Sequence, residues 1–111
     1  MVLDGPQYPL DDVIRLAQDG KVTFDRKAER EYRDMEMNRE GAIELLCSLD
    51  ESEYTGRADY SEFDKDWDVY EPKRNVPVGL RCLYVKLKIP SPRTVQCVHT
   101  RSMHVSDKYW K

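Results

Sequence analysis

No long apolar run occurs in the 111 residues; the most hydrophobic stretch, Ala42 to Leu49, is short and carries a charge. A helix crossing a bilayer needs about 20 such residues, so a membrane-spanning helix is excluded. The N-terminus, Met1-Val2-Leu3-Asp4-Gly5-Pro6, lacks the basic start and apolar core of a secretory signal. Cysteine is scarce and odd in number: Cys47, Cys82 and Cys97 show no Cys-x-x-Cys spacing. That argues against a disulfide framework or a zinc site and for reduced, buried thiols. These absences predict a cytoplasmic protein that uses no cofactor. Its length suits one domain over residues 1–111, burying roughly two-thirds of its unfolded surface.

Acid is the most unevenly missing component. Residues 73–111 contain one Asp or Glu against 9 Lys+Arg, a net +8, whereas residues 1–72 hold 20 against 9, a net −11. The whole-chain value of −3 conceals this split. A basic tract that also alternates like a β-strand marks a phosphate-facing surface, and the tract runs from Lys73 and Arg74 through Lys86 and Lys88 to His99 and Arg101.

Leu10, Val13, Ile14 and Ala17 recur at helical spacing, with Pro9 suited to a first turn, Asp11 and Asp12 favourable at its positive end and Gly20 as a stop. Residues 21–24 read as a short extended piece. Asp25 can cap a charged surface helix over 26–37, and Asn38 a third helix carrying Ala42, Ile43, Leu45, Leu46 and Leu49. From Tyr54 the period becomes 2, with breaks that predict four antiparallel strands at about 54–60, 67–74, 79–89 and 94–101. Helices first and strands after predict an α+β domain, with residues 8–50 packed on one face of a twisted antiparallel sheet over 54–101, and a tail over 102–111.

In the third strand Leu83, Val85, Leu87 and Ile89 alternate with Tyr84, Lys86 and Lys88, so the second set should face away from the helices. If Ile89 faces Thr94 across Pro90–Arg93, Tyr84 lies opposite His99, Lys86 opposite Cys97 and Cys82 opposite Arg101. If Arg74 faces Gly79, Trp67 falls opposite Lys86, Val69 opposite Tyr84 and Glu71 opposite Cys82. Opposed residues share a face, which predicts a patch of Trp67, Glu71, Tyr84, Lys86, His99 and Arg101. A one-residue register change would turn it inside out.

Such a patch contains what RNA cleavage needs. A 2′-hydroxyl loses a proton, the departing 5′-oxygen gains one, and fixed cations hold the phosphorane charge. His99, Tyr84 and Glu71 can move protons, Lys86 and Arg101 can hold phosphate, and Trp67 or Tyr84 can stack on a splayed base. Each residue also has an ordinary reading: His99 as a solvated strand residue, Lys86 and Lys88 as solubilising charges, and Trp67 as core.

The ordered set Leu49-Asp50-Glu51-Ser52-Glu53-Tyr54, Tyr60-Ser61, Trp67-Asp68-Val69-Tyr70-Glu71-Pro72, Leu83-Tyr84-Val85-Lys86-Leu87 and Val95-Gln96-Cys97-Val98-His99 resembles the MqsR-type toxins of bacterial type II toxin–antitoxin systems, over roughly residues 8–101. The resemblance implies a RelE-like α+β fold, a ribosome-independent mRNA endoribonuclease needing no metal, and a cognate antitoxin as partner. It puts the family's functional Tyr at Tyr84 and its basic residue near the last strand's end at His99. The chain departs from the pattern at Trp67, where the family has Gln, at Glu71, often basic in the family, and at Thr55 and Gly56, where a family Lys is missing and Arg57 follows. The expected catalytic residues are therefore Tyr84, His99, Arg101 and Lys86, with Trp67, Lys73, Arg74, Lys88 and Arg57 binding RNA. Two other readings stand beside this one: a catalytically silent RelE-like relative binding RNA or protein through the same face, and an acidic interaction module docking its helical half on a basic partner.

Overall fold

The computed structural model describes residues 5–90 and 96–106. Helix α1, Leu10–Gln18, starts after Pro9 and buries Leu10, Val13, Leu16 and Ala17. It ends as the sequence predicts: Gly20 adopts φ +75°, the Gly20 N–H donates to Ala17 O at 2.9 Å and the Lys21 N–H to Leu16 O at 2.9 Å. This paired closure of orphan carbonyls needs a left-handed residue, which glycine supplies without steric cost. Helix α2, Arg26–Asp34, buries Ala28 and Tyr32. Helix α3, Arg39–Cys47, is capped by Asn38, whose side chain accepts from the Gly41 N–H at 2.8 Å, and it turns Ala42, Leu45 and Leu46 inward.

The strands are β1 (Val22–Phe24), β2 (Tyr54–Ala58), β3 (Trp67–Tyr70), β4 (Lys73–Val76), β5 (Gly79–Lys88) and β6 (Val98–Val105). They form an α+β fold with sheet order β1-β6-β5-β3-β2, and β4 pairs with β5 beyond β3. The core lies between the helices and the β5 residues Leu83, Val85 and Leu87, all 0% exposed. The sheet is mixed rather than wholly antiparallel, because β1 runs parallel to β6 from Val22↔Val98 to Phe24↔Thr100. The strand predicted over 67–74 is two, interrupted at Glu71 and Pro72, since proline has no N–H for a ladder.

The last strand also differs from expectation. It ends at Val105 rather than at 101, and the expected strand residues 94 and 95 lie outside the described ones. Where β1 stops, α2 covers the β6 edge: the Met103 N–H donates to Glu31 Oε1 at 3.0 Å, and Lys27 Nζ donates to Ser102 Oγ at 3.1 Å. A backbone edge satisfied by side chains can continue as strand, so the segment expected as tail is ordered through Val105.

Asp68 is a buried carboxylate, 0% exposed, accepting the Gln7 and Tyr8 N–H groups at 2.9 Å each. Burial raises its pKa despite those bonds. A carboxyl raised on folding contributes most below the unfolded value of ~3.9, and that contribution is lost as pH rises through the folded value. Asp50, Asp59 and Asp64 are lowered, chiefly by hydrogen bonds, and have the opposite sign. Asp68→Asn is expected to flatten the fall in stability on raising pH above ~4, whatever its offset at one pH. Urea unfolding across about pH 4–7 checks this; parallel wild-type and variant curves would refute it.

Candidate active site

Strand β5 sends Tyr84, Lys86 and Lys88 to the sheet face that the helices leave uncovered. What stands opposite them differs from the short-turn register. β5 ends at Lys88 and β6 begins only at Val98, so the pairs slide by five: Tyr84 faces His104, Val85 faces Met103 and Lys86 faces Ser102. Tyr84 is thus not opposite His99, nor Lys86 opposite Cys97, nor Cys82 opposite Arg101. An odd slide alone would turn His99 into the core. A bulge in β6, opposite the Lys86–Leu87 step, changes the register to Leu87↔Thr100 and Lys88↔His99, leaving Arg101 as the extra residue. One extra residue restores parity, and His99 returns to the open face.

The β3 register slides by two, with Val69 opposite Lys86 and Asp68 opposite Leu87. An even slide keeps every residue on its predicted face. Trp67 moves level with Lys88, whose Nζ lies 4.3 Å from its ring centroid. Lys73 pairs with Cys82, on the open face beyond Tyr84. Two expected RNA ligands lie elsewhere. Arg74 clasps Glu53 through Nη1–Oε2 at 2.6 Å and Nη2–Oε1 at 2.9 Å and donates to Ser48 O at 2.7 Å, tying β4 to the end of α3. Arg57 pairs with Asp68 on the other side of the sheet and bonds Asp59 Oδ2 at 3.2 Å.

The predicted single patch is therefore two clusters. The first centres on Trp67, 5% exposed, whose Nε1–H donates to Asp64 Oδ1 at 2.8 Å. Arg101 lies against Trp67 and Tyr60, Cζ being 5.1 and 5.2 Å from their centroids, and its Nη1 meets both Asp64 oxygens at 2.7 Å. Hydrogen bonds from Arg101 and then Trp67 hold the Asp64 carboxyl below its ordinary value. His99 lies 5.9 Å from the Trp67 ring, with Nε2 at 2.7 Å from Asp25 Oδ1 and Nδ1 at 2.7 Å from Thr23 Oγ1. A carboxylate only accepts, so Nε2 carries a proton; the neutral ring then spends its lone pair on the Thr23 hydroxyl.

The second cluster is Tyr84 stacked on His104, centroids 5.1 Å apart and planes at 18°. His104 Nδ1 lies 2.7 Å from Val105 O. A carbonyl cannot donate, so Nδ1 carries the proton and Nε2 of the neutral ring presents a lone pair. Lys86, 7% exposed, stands between the clusters with Nζ 5.9 Å from the Tyr84 centroid, and it donates to the Tyr60 hydroxyl. Tyr84 and His99 stand four strand residues apart along the face, roughly 13 Å, too far to act on one phosphate.

Sequence reasoning missed His104, Asp64, Tyr60, Asp25 and Thr23. His104 fell in the segment expected as tail, and the other four reach the face through loops or the edge strand β1. Alternation along β6 could not have found His104, because counting from His99 turns residue 104 inward until the bulge at Arg101 brings it back to the open face.

Helices on one side, and on the other a sheet face of cations, rings and imidazoles, define a small α+β domain. Residues 5–101 match the family described as motility quorum-sensing regulator, toxin of MqsA, and the chain belongs to that family. Membership makes it the toxin of a toxin–antitoxin system, with an antitoxin as partner. No curated protein matches the chain. Among the described residues no helix is long and apolar enough to cross a membrane.

Proposed function

We propose that this toxin is a ribosome-independent endoribonuclease of single-stranded mRNA, acting in the cytoplasm without a metal ion. The observation that carries the reading is the Tyr84–His104 stack, which sets an imidazole lone pair beside a phenol and near a buried ammonium. His104 Nε2 takes the proton of the 2′-hydroxyl as that oxygen bonds to phosphorus. The P–O5′ bond breaks, Tyr84 gives its proton to the departing 5′-oxygen, and Lys86 offsets the charge on the phosphorane oxygens. The products are a 2′,3′-cyclic phosphate and a 5′-hydroxyl. His99, with both nitrogens engaged, positions β1 against β6 in this scheme, and Trp67, Lys88, Arg101 and Lys73 bind the strand.

The antitoxin's docking strand in this reading is the outer edge of β2, which is five residues long. The other edge, β1, has three, and its Val22 carbonyl already accepts from Arg39 Nη2 at 2.9 Å. An unpaired edge is the surface that strand addition uses.

Single-stranded RNA incubated with the protein in EDTA should yield cyclic phosphate on the 5′ fragments. Cutting that vanishes on chelation and returns with a divalent ion would overturn the metal-free scheme. Expression of the chain alone should arrest growth, and co-expression of the antitoxin should relieve it; harmless high-level expression would favour the silent-relative reading.

A further inference from the structure

The loop from Asp59 to Asp66 closes over the Trp67 cluster. Its fold is held by its own backbone and by the Ser61 and Asp59 side chains: the Tyr60 and Ser61 N–H groups donate to Asp64 O at 2.7 and 3.0 Å, and the Phe63 and Asp64 N–H groups donate to Ser61 Oγ at 3.2 and 3.0 Å. The Asp66 N–H also donates to Asp59 Oδ1 at 2.8 Å. None of these bonds uses the Asp64 carboxylate. That carboxylate instead reaches down to neutralise Arg101 and accept the indole N–H.

A carboxylate and a phosphate make the same contacts with a guanidinium. We propose that Asp64 occupies a phosphate subsite of the open face, formed by Arg101, the Trp67 N–H and Lys88, and that a backbone phosphate of single-stranded RNA displaces it on binding. The subsite holds a nucleotide flanking the one cleaved, because it lies at the His99 end of the face and not beside Tyr84. Phe63, 93% exposed at the loop's tip, offers a ring on which a base of that nucleotide stacks. The loop thus sets the threshold for RNA binding: only a ligand that outcompetes an internal anion gains Arg101. The inference rests on the RNA-cleaving reading above.

The test is the affinity of the whole chain for a short, fluorescently labelled 2′-O-methyl single-stranded RNA, which binds but cannot be cut. Asp64→Asn keeps an acceptor for the indole N–H but removes the charge. It should bind on the order of tenfold tighter, with a salt slope steeper by about 0.7, the value for one additional phosphate contact on a single strand. Glu62→Gln removes the same charge from the same loop and should change affinity less than about twofold. In an Arg101→Ala background, Asp64→Asn should give no gain. Wild-type binding that Asp64→Asn leaves unchanged, a gain matched by Glu62→Gln, or a gain that persists without Arg101 would each overturn the subsite while leaving the RNA reading intact. Absence of RNA binding by wild type and variant alike would overturn both.

Discussion

His104→Ala and Tyr84→Phe each lower the cleavage rate of single-stranded RNA by about 10²-fold or more, the scale of a lost general base or acid. Tyr84 lies on a strand whose core-facing neighbours Leu83 and Val85 are untouched by the change, so the Phe ring keeps the stack with His104 and the phenolic proton is lost. The Ala variant removes a half-buried ring at the end of β6, away from the core. Both variants should therefore unfold within about 1 kcal/mol of wild type. His99→Ala is the discriminating companion. Its ring bonds Asp25 and Thr23, so its loss should weaken stability and change the cleavage rate less than about tenfold. Single-turnover rates with a labelled RNA separate the cases. A His99→Ala defect as deep as that of His104→Ala, at equal stability, would return the imidazole of the reaction to His99.

Trp67→Ala should cost about 3–5 kcal/mol of stability, the range for truncating a buried indole. The ring is 5% exposed on a face that is otherwise open, and it underlies Lys88, Arg101 and the edge of His99. Truncation would leave the Asp64 carboxylate with Arg101 alone and expose the floor of the cluster. Trp67→Phe keeps a ring beneath the cations and loses the N–H donor, so it should cost much less, about 1–2 kcal/mol. Urea unfolding followed by circular dichroism measures both. A loss below about 1 kcal/mol in Trp67→Ala would show that the indole is a surface platform only.

The reading of Trp67 as either core or platform dissolves once the cross-strand cations are in place. Lys88, Arg101 and Asp64 lie against it, all of them charged, so a hydropathy pattern could not have decided it. The same holds for Arg74, which lies in the basic tract but turns to Glu53. Consecutive residues of a strand face opposite ways, and charge density along the chain does not record which of them meets an acid.

Local physics was legible without coordinates. The helix ends at Gly20 and Asn38, the alternation in β5 and the switch from period 3.6 to period 2 depend on dihedral preference and spacing within a few residues. Those features determined the α+β class and which side of β5 would be wet. Register is a different kind of quantity. It depends on where a distant strand begins, and here β6 begins at Val98, bulges at Arg101 and extends to Val105 because α2 satisfies its edge. Only the tertiary structure could decide that Tyr84 meets His104 and that Arg101 meets Asp64. Both contacts are set by long-range backbone pairing and by a loop laid across the sheet, whose energies no local window of sequence contains.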